Sequence, residues 1–120
     1  MNDVSEIADL MFVHTESLES MKIKLKERAH RKAKSIADYD KFLAITIIKI
    51  RNGKEVTFEG EVIKDPPVTL IEKLAKGICY SQRLEMETAE AEYKSLITAI
   101  ETTKAELNGL QSINRHLDTI

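Results

Sequence analysis

Residues 89–117 read AEAEYKSLITAIETTKAELNGLQSINRHL, with seam positions at Ala89, Tyr93, Leu96, Ile100, Thr103, Leu107, Leu110, Ile113 or Asn114, and Leu117, and Ile120 beyond. The steps alternate between four and three residues. That is the heptad signature of a helix whose narrow apolar edge lies against another helix. Tyr93, Leu96, Ile100, Leu107, Leu110 and Leu117 are the expected contact residues of this seam, in a hairpin or an oligomer. Upstream, Leu70, Leu74, Ile78 and Leu84 continue a helical pattern, so one helical segment is expected over 69–119. Thr69 follows Pro66 and Pro67 and precedes Glu72 by three residues, a capping-box arrangement. Gly77 is a place for a bend, and Gly109 a place for close helix approach.

A partner for that seam lies at the other end of the chain. Apolar residues recur at Val4, Ile7, Met11, Leu18, Met21, Leu25, Ala29, Ile36, Leu43, Ile47 and Ile50, with His14 on the same stripe. This predicts a first helix over 2–51, capped by Asn2 or Asp3 and spanning roughly 75 Å. Ser35, Asp38 and Asp40 mark its weak point, because such side chains compete for backbone hydrogen bonds. Residues 52–68 form a connector. Within it Val56, Phe58 and Val62 are set among Glu55, Thr57, Glu59 and Glu61, and Glu59-Gly60 suits the turn of a tiny hairpin. Asn52-Gly53 suits either a hairpin pairing 45–50 with 55–63 or a left-handed helix stop. The helical spacing of Ala44, Ile47, Ile48 and Arg51 favours the stop.

The expected fold is therefore all-α: a single helical domain over 1–120, an antiparallel long-helix hairpin, coiled-coil-like, with a short β-like connector. Such a hairpin has a thin core, since each helix buries one stripe. Assembly of copies into an oligomeric helical bundle would cover Leu10, Phe12, Ile23, Phe42, Leu84 and Ile97.

Composition agrees with long helices. Of 120 residues, 42% are apolar and 32% charged, with no Trp, three Phe, three Tyr, four Gly and two Pro. One cysteine, Cys79, forms no internal disulfide, and Met1 is followed by Asn2 and Asp3 rather than by a basic and then apolar run. A signal peptide is not expected, and the expected compartment is the cytoplasm. The longest apolar stretch, 42–50, is interrupted by Thr46 and Lys49, so no membrane span is expected.

The net charge of −2 conceals three segments. Residues 1–21 carry five acids and no Lys or Arg; 22–54 carry eleven bases against three acids; 55–120 carry seven bases against twelve acids. Lys22, Lys24, Lys26, Arg28, Arg31, Lys32 and Lys34 face Glu27 alone within thirteen residues. At 100° per residue these bases wrap most of the helix, leaving a seam at Leu25, Ala29, Ala33 and Ile36. Their self-repulsion calls for an anion: nucleic acid phosphate, an anionic lipid surface or the chain's own acids.

Catalytic groupings are hard to find. His14, His30 and His116 lie far apart, no His pair has the i,i+4 spacing of a helical metal site, and Gly53-Lys54-Glu55 fails as a phosphate loop. Cys79 reads as a small buried hydrophobe, and Glu85, Glu87, Glu90 and Glu92 as a solvated face. No enzyme, metal or cofactor is expected. The residues that point to a ligand are the seven bases of 22–34 with Lys49, Arg51 and Lys54, in a pattern suited to single-stranded DNA held by charge. Seven neutralised phosphates would give a salt slope near −5, from roughly −0.7 each.

A long Lys-rich first helix ending in Lys49-Ile50-Arg51-Asn52-Gly53-Lys54, a connector with Asp65-Pro66-Pro67, a helix with Ala89-Glu90-Ala91-Glu92-Tyr93 and a terminal Gln111-Ser112-Ile113-Asn114-Arg115 resemble known proteins. The pattern looks like that of small helical proteins encoded among phage and prophage DNA replication and recombination genes. More remotely it is similar to the UvsY-type recombination mediators. The resemblance implies an oligomer that binds single-stranded DNA and a single-strand-binding protein or recombinase, through the basic first helix and Asn114-Arg115. Lys54 to Lys64 has no counterpart in the mediators. Two other readings remain open: an inhibitor of a host defence or replication protein whose acidic face mimics DNA, and a structural coiled-coil assembly protein.

Overall fold

In the computed structural model, which describes residues 3–119, the elements run α1 (Asp3–Arg51), β1 (Val56–Phe58), β2 (Glu61–Ile63), α2 (Val68–Ile78) and α3 (Tyr80–Asp118). Asn2, one of the two candidate caps, and Ile120, the last seam position, lie outside the described residues. The fold is mostly helical, with α1 packed antiparallel against α3 and a short two-stranded connector between them. The chain divides into two compact units. One joins the chain up to Ala29 with the chain from Glu92; the other is His30–Ala91.

In the first unit, Leu18, Leu96 and Ile100 are buried together, with Met21, Leu25 and Leu107 packed against them. The antiparallel sense shows in the pairs: His14 meets Glu106, Thr103 meets Met21, and Arg28 meets the Glu92 carbonyl. Tyr93, Leu110 and Leu117 are half-buried along the same edge of α3. At the alternative seam position Asn114 is half-buried and Ile113 is 50% exposed. Gly109 is not a point of close approach. A Cβ built there meets nothing within 4 Å.

In the second unit the core is Ile50, Ile71 and Ala75, lined by Leu43, Ile47, Val56, Leu74 and Ile78. The helix continues through Ser35–Asp40 because its polar side chains are used along the helix rather than to end it. Ser35 donates to the Lys32 carbonyl, Asp38 accepts from Lys34, and Tyr39 is buried. Residues 45–50 are helix, not strand. The stop comes at Gly53, whose φ of 74° lets its N–H reach the Ile50 carbonyl while the Lys54 N–H reaches Lys49. These paired bonds form a Schellman motif, which closes the last turn with a left-handed residue.

The hairpin pairs Val56 with Ile63, Thr57 with Val62 and Phe58 with Glu61. Glu59 and Gly60 both have positive φ, 52° and 77°, as a two-residue type I′ turn requires. The single helical segment expected over 69–119 is two helices. α2 begins at Val68, capped by Pro67 without a side-chain hydrogen bond, so the capping box at Thr69 does not form. Helical geometry lapses at Cys79, two residues beyond Gly77. Gly77 serves a different purpose: a Cβ there would lie 3.2 Å from Cζ of Phe58, so its bare backbone makes room for the ring.

Candidate nucleic-acid interface

The bases of α1 divide by the direction in which the helix presents them. The seam predicted at Leu25, Ala29, Ala33 and Ile36 is only half right. Leu25 and Ala29 are half-buried, Ala33 and Ile36 are exposed, and Arg28, Arg31, Lys32 and Ser35 hold inward positions in their place. Leu18, Leu25, Lys32, Tyr39 and Thr46 follow one another at seven-residue intervals, so the inward stripe is a true heptad whose middle is polar. A pattern search confined to apolar residues misses this, because long Arg and Lys stems cover apolar surface while their charged ends reach polar partners.

In the first unit Lys22, Lys24 and Lys26 are exposed, and Lys22 lies 3.6 Å from Glu19 one turn away. Arg28 is half-buried, its Nη1 donating to the Glu92 carbonyl at 3.0 Å. In the second unit the Arg31 Nε donates to Glu85 at 2.8 Å, which holds the Glu85 carboxyl below its usual range. Lys34 is exposed and bonded to Asp38 at 2.7 Å, a contact that raises its ammonium above the usual value. Lys49, Arg51 and Lys54 are exposed at the end of α1 and just past it. Among the described residues, Lys24, Lys26, Lys49, Arg51 and Lys54 form no ion pair.

The anion required by the cluster is thus supplied in part by the protein itself. Glu85 and the Glu92 carbonyl of α3 engage Arg31 and Arg28, while the outward lysines remain open to solvent. Surface pairs such as Lys34–Asp38 contribute little, because solvent screens them, and give way readily to a phosphate.

The histidines and the cysteine have structural surroundings. His14 is half-buried, with Nε2–H donating to Glu106 at 2.7 Å and Nδ1–H to the Leu10 carbonyl at 2.8 Å. Both partners accept, so the arrangement favours the doubly protonated ring, and the Glu106 bond followed by the Leu10 bond raises it above its ordinary value. Cys79 is buried at the α2–α3 junction, its sulfur 3.4 Å from the Thr46 hydroxyl. No group of three His, Cys, Asp or Glu suited to a metal is present among the described residues. None of their helices is long and apolar enough to cross a membrane.

Of the apolar residues expected to be covered by assembly, Leu10, Phe12, Ile23, Phe42 and Leu84 are exposed and Ile97 is half-buried. The sequence pattern overlooked a groove of about 520 Å³ in the second unit, formed by Lys73, Lys76, Gly77, Tyr80, Arg83, Leu84 and Glu87. Its signal was present in the order Lys73, Lys76, Tyr80, Arg83, at steps of three and four on one side of the chain's helical path. No protein-family model, curated protein or solved structure matches the chain.

Proposed function

We propose that this protein is a non-enzymatic accessory factor of DNA recombination or replication, of the phage type its sequence resembles, which binds single-stranded DNA through α1. The observation that carries this reading is the exposure of Lys22, Lys24, Lys26 and Lys34 around a helix whose Arg28 and Arg31 are already engaged. Phosphate contacts need cations at helical spacing and little else, so affinity is electrostatic and base sequence is read weakly. Exposure lowers the expected number of contacts from seven to about four for this stretch, and the salt slope from near −5 to about −3. Binding of a single-strand-binding protein or recombinase belongs to the same proposal, on the strength of the resemblance alone. The exposed Leu10, Phe12, Ile23, Phe42 and Leu84 support self-association as a homo-oligomer. The DNA-mimic reading is weaker, because Glu85 and Glu87 are tied to Arg31 and Arg83.

Fluorescence anisotropy with a labelled oligonucleotide, at several salt concentrations, tests the proposal. Lys24→Glu with Lys26→Glu is expected to weaken binding at least tenfold and to flatten the salt slope by about 1.4. Wild-type protein that binds no oligonucleotide at low salt overturns it.

A further inference from the structure

We infer that the α2–α3 groove is a second contact for single-stranded DNA, with a base stacked on Tyr80 and the flanking phosphates on Lys73, Lys76 and Arg83. The inference rests on the single-stranded DNA reading above and adds a site on different elements. Tyr80, the first residue of α3, is 61% exposed, whereas Tyr39 is buried and Tyr93 half-buried. It lies in the 520 Å³ groove between the two α2 lysines and Arg83. Lys73 also lines the adjoining apolar groove of about 420 Å³ with Phe58, Leu70 and Leu74, so the cation stands where the two hollows meet.

The chemistry of the lining suits a single strand. Three cations face one carboxylate, Glu87, which is held by Arg83 at 3.1 Å. Lys76 is paired with Glu72 at 3.2 Å, and Lys73 has no ion pair among the described residues. Both pairs are exposed i,i+4 contacts, the weakest kind, and exchange readily for phosphate. Lys73 and Lys76 lie one turn apart on α2, and Tyr80 and Arg83 one turn apart on α3. A ring flanked by cations at that spacing is how sequence-tolerant single-strand binders combine stacking with charge. Leu84, as exposed as Tyr80, extends the apolar floor on which a second base face can lie.

The test uses the whole chain and a labelled thymidine oligonucleotide of about 12 nucleotides at low salt. Tyr80→Ala is expected to weaken binding about 5- to 100-fold with helix content unchanged, and Tyr80→Phe to retain most of it. Tyr80→Trp introduces the chain's sole Trp, whose fluorescence should be quenched as the oligonucleotide is added. A Tyr80→Ala effect under twofold, or an unquenched Trp, overturns the groove. If that insensitivity accompanies lost binding in the Lys24→Glu, Lys26→Glu variant, the α1 reading stands and only the groove falls. If wild-type protein binds no oligonucleotide, both fall. A Tyr80→Ala variant that keeps its affinity but loses mass in light scattering assigns the groove to a second copy and overturns the inference.

Discussion

Two helical glycines offer a sharp test of the packing, because the same substitution meets opposite surroundings. Glycine in a helix interior is about 0.8–1.0 kcal/mol less favourable than alanine, since the bare backbone loses more freedom on folding. Gly109 sits well inside α3, on an exposed stretch, and a Cβ there would touch nothing within 4 Å. No contact opposes the propensity gain. Gly109→Ala should therefore stabilise by about 0.8–1.0 kcal/mol, raising Tm by about 4 °C for a chain of this size. At Gly77 the same methyl would lie 3.2 Å from Cζ of Phe58, a few tenths of an ångström too close. The ring must shift within a three-residue strand, so most of the gain is cancelled and Gly77→Ala should fall within about 0.5 kcal/mol of wild type. Placing Gly77→Ala in a Phe58→Leu background removes the crowding, and the alanine should then recover most of its intrinsic gain. Urea unfolding followed by circular dichroism at 222 nm reads all the variants on one scale. A Gly109→Ala protein destabilised by more than 0.5 kcal/mol would refute the reasoning, since a neighbour must then approach that face. Equal gains at both glycines would refute the placement of Phe58.

Two further predictions concern the first unit. The doubly donating His14 titrates above 6.5, so its contribution to stability is complete below that pH and is lost as pH rises through the higher folded value. In an NMR titration Glu106→Gln should bring His14 back toward 6.5; an unchanged midpoint would remove Glu106 as the cause. Leu96→Ala, at a position 5% exposed in the Leu18–Ile100 cluster, should cost about 2–3 kcal/mol, whereas Ile113→Ala should stay within about 0.5 kcal/mol by the same denaturation assay. Comparable losses at both positions would place Ile113, not Asn114, on the seam.

The features legible in the chain are those set by near neighbours. The heptad over 89–117, the Asn52-Gly53 stop and the Glu59-Gly60 turn each depend on local spacing or on a residue that tolerates positive φ, and each appears where the residues place it. The capping box at Thr69 failed for a local reason too: α2 begins one residue earlier, at Val68, with Pro67 in the cap position.

What the chain alone determined is the alternation of long helices, turn residues and blocks of charge, because helical period, turn chemistry and formal charge are properties of residues close in sequence. Only the tertiary structure decided which cations face inward. Arg28 and Arg31 turn to the Glu92 carbonyl and to Glu85, partners 64 and 54 residues away, and no local pattern encodes a partner at that separation. Lys73, Lys76, Tyr80 and Arg83 of the α2–α3 groove are, by contrast, three or four residues apart, so their common side was legible in the chain, and the tertiary structure decided only that they line one hollow.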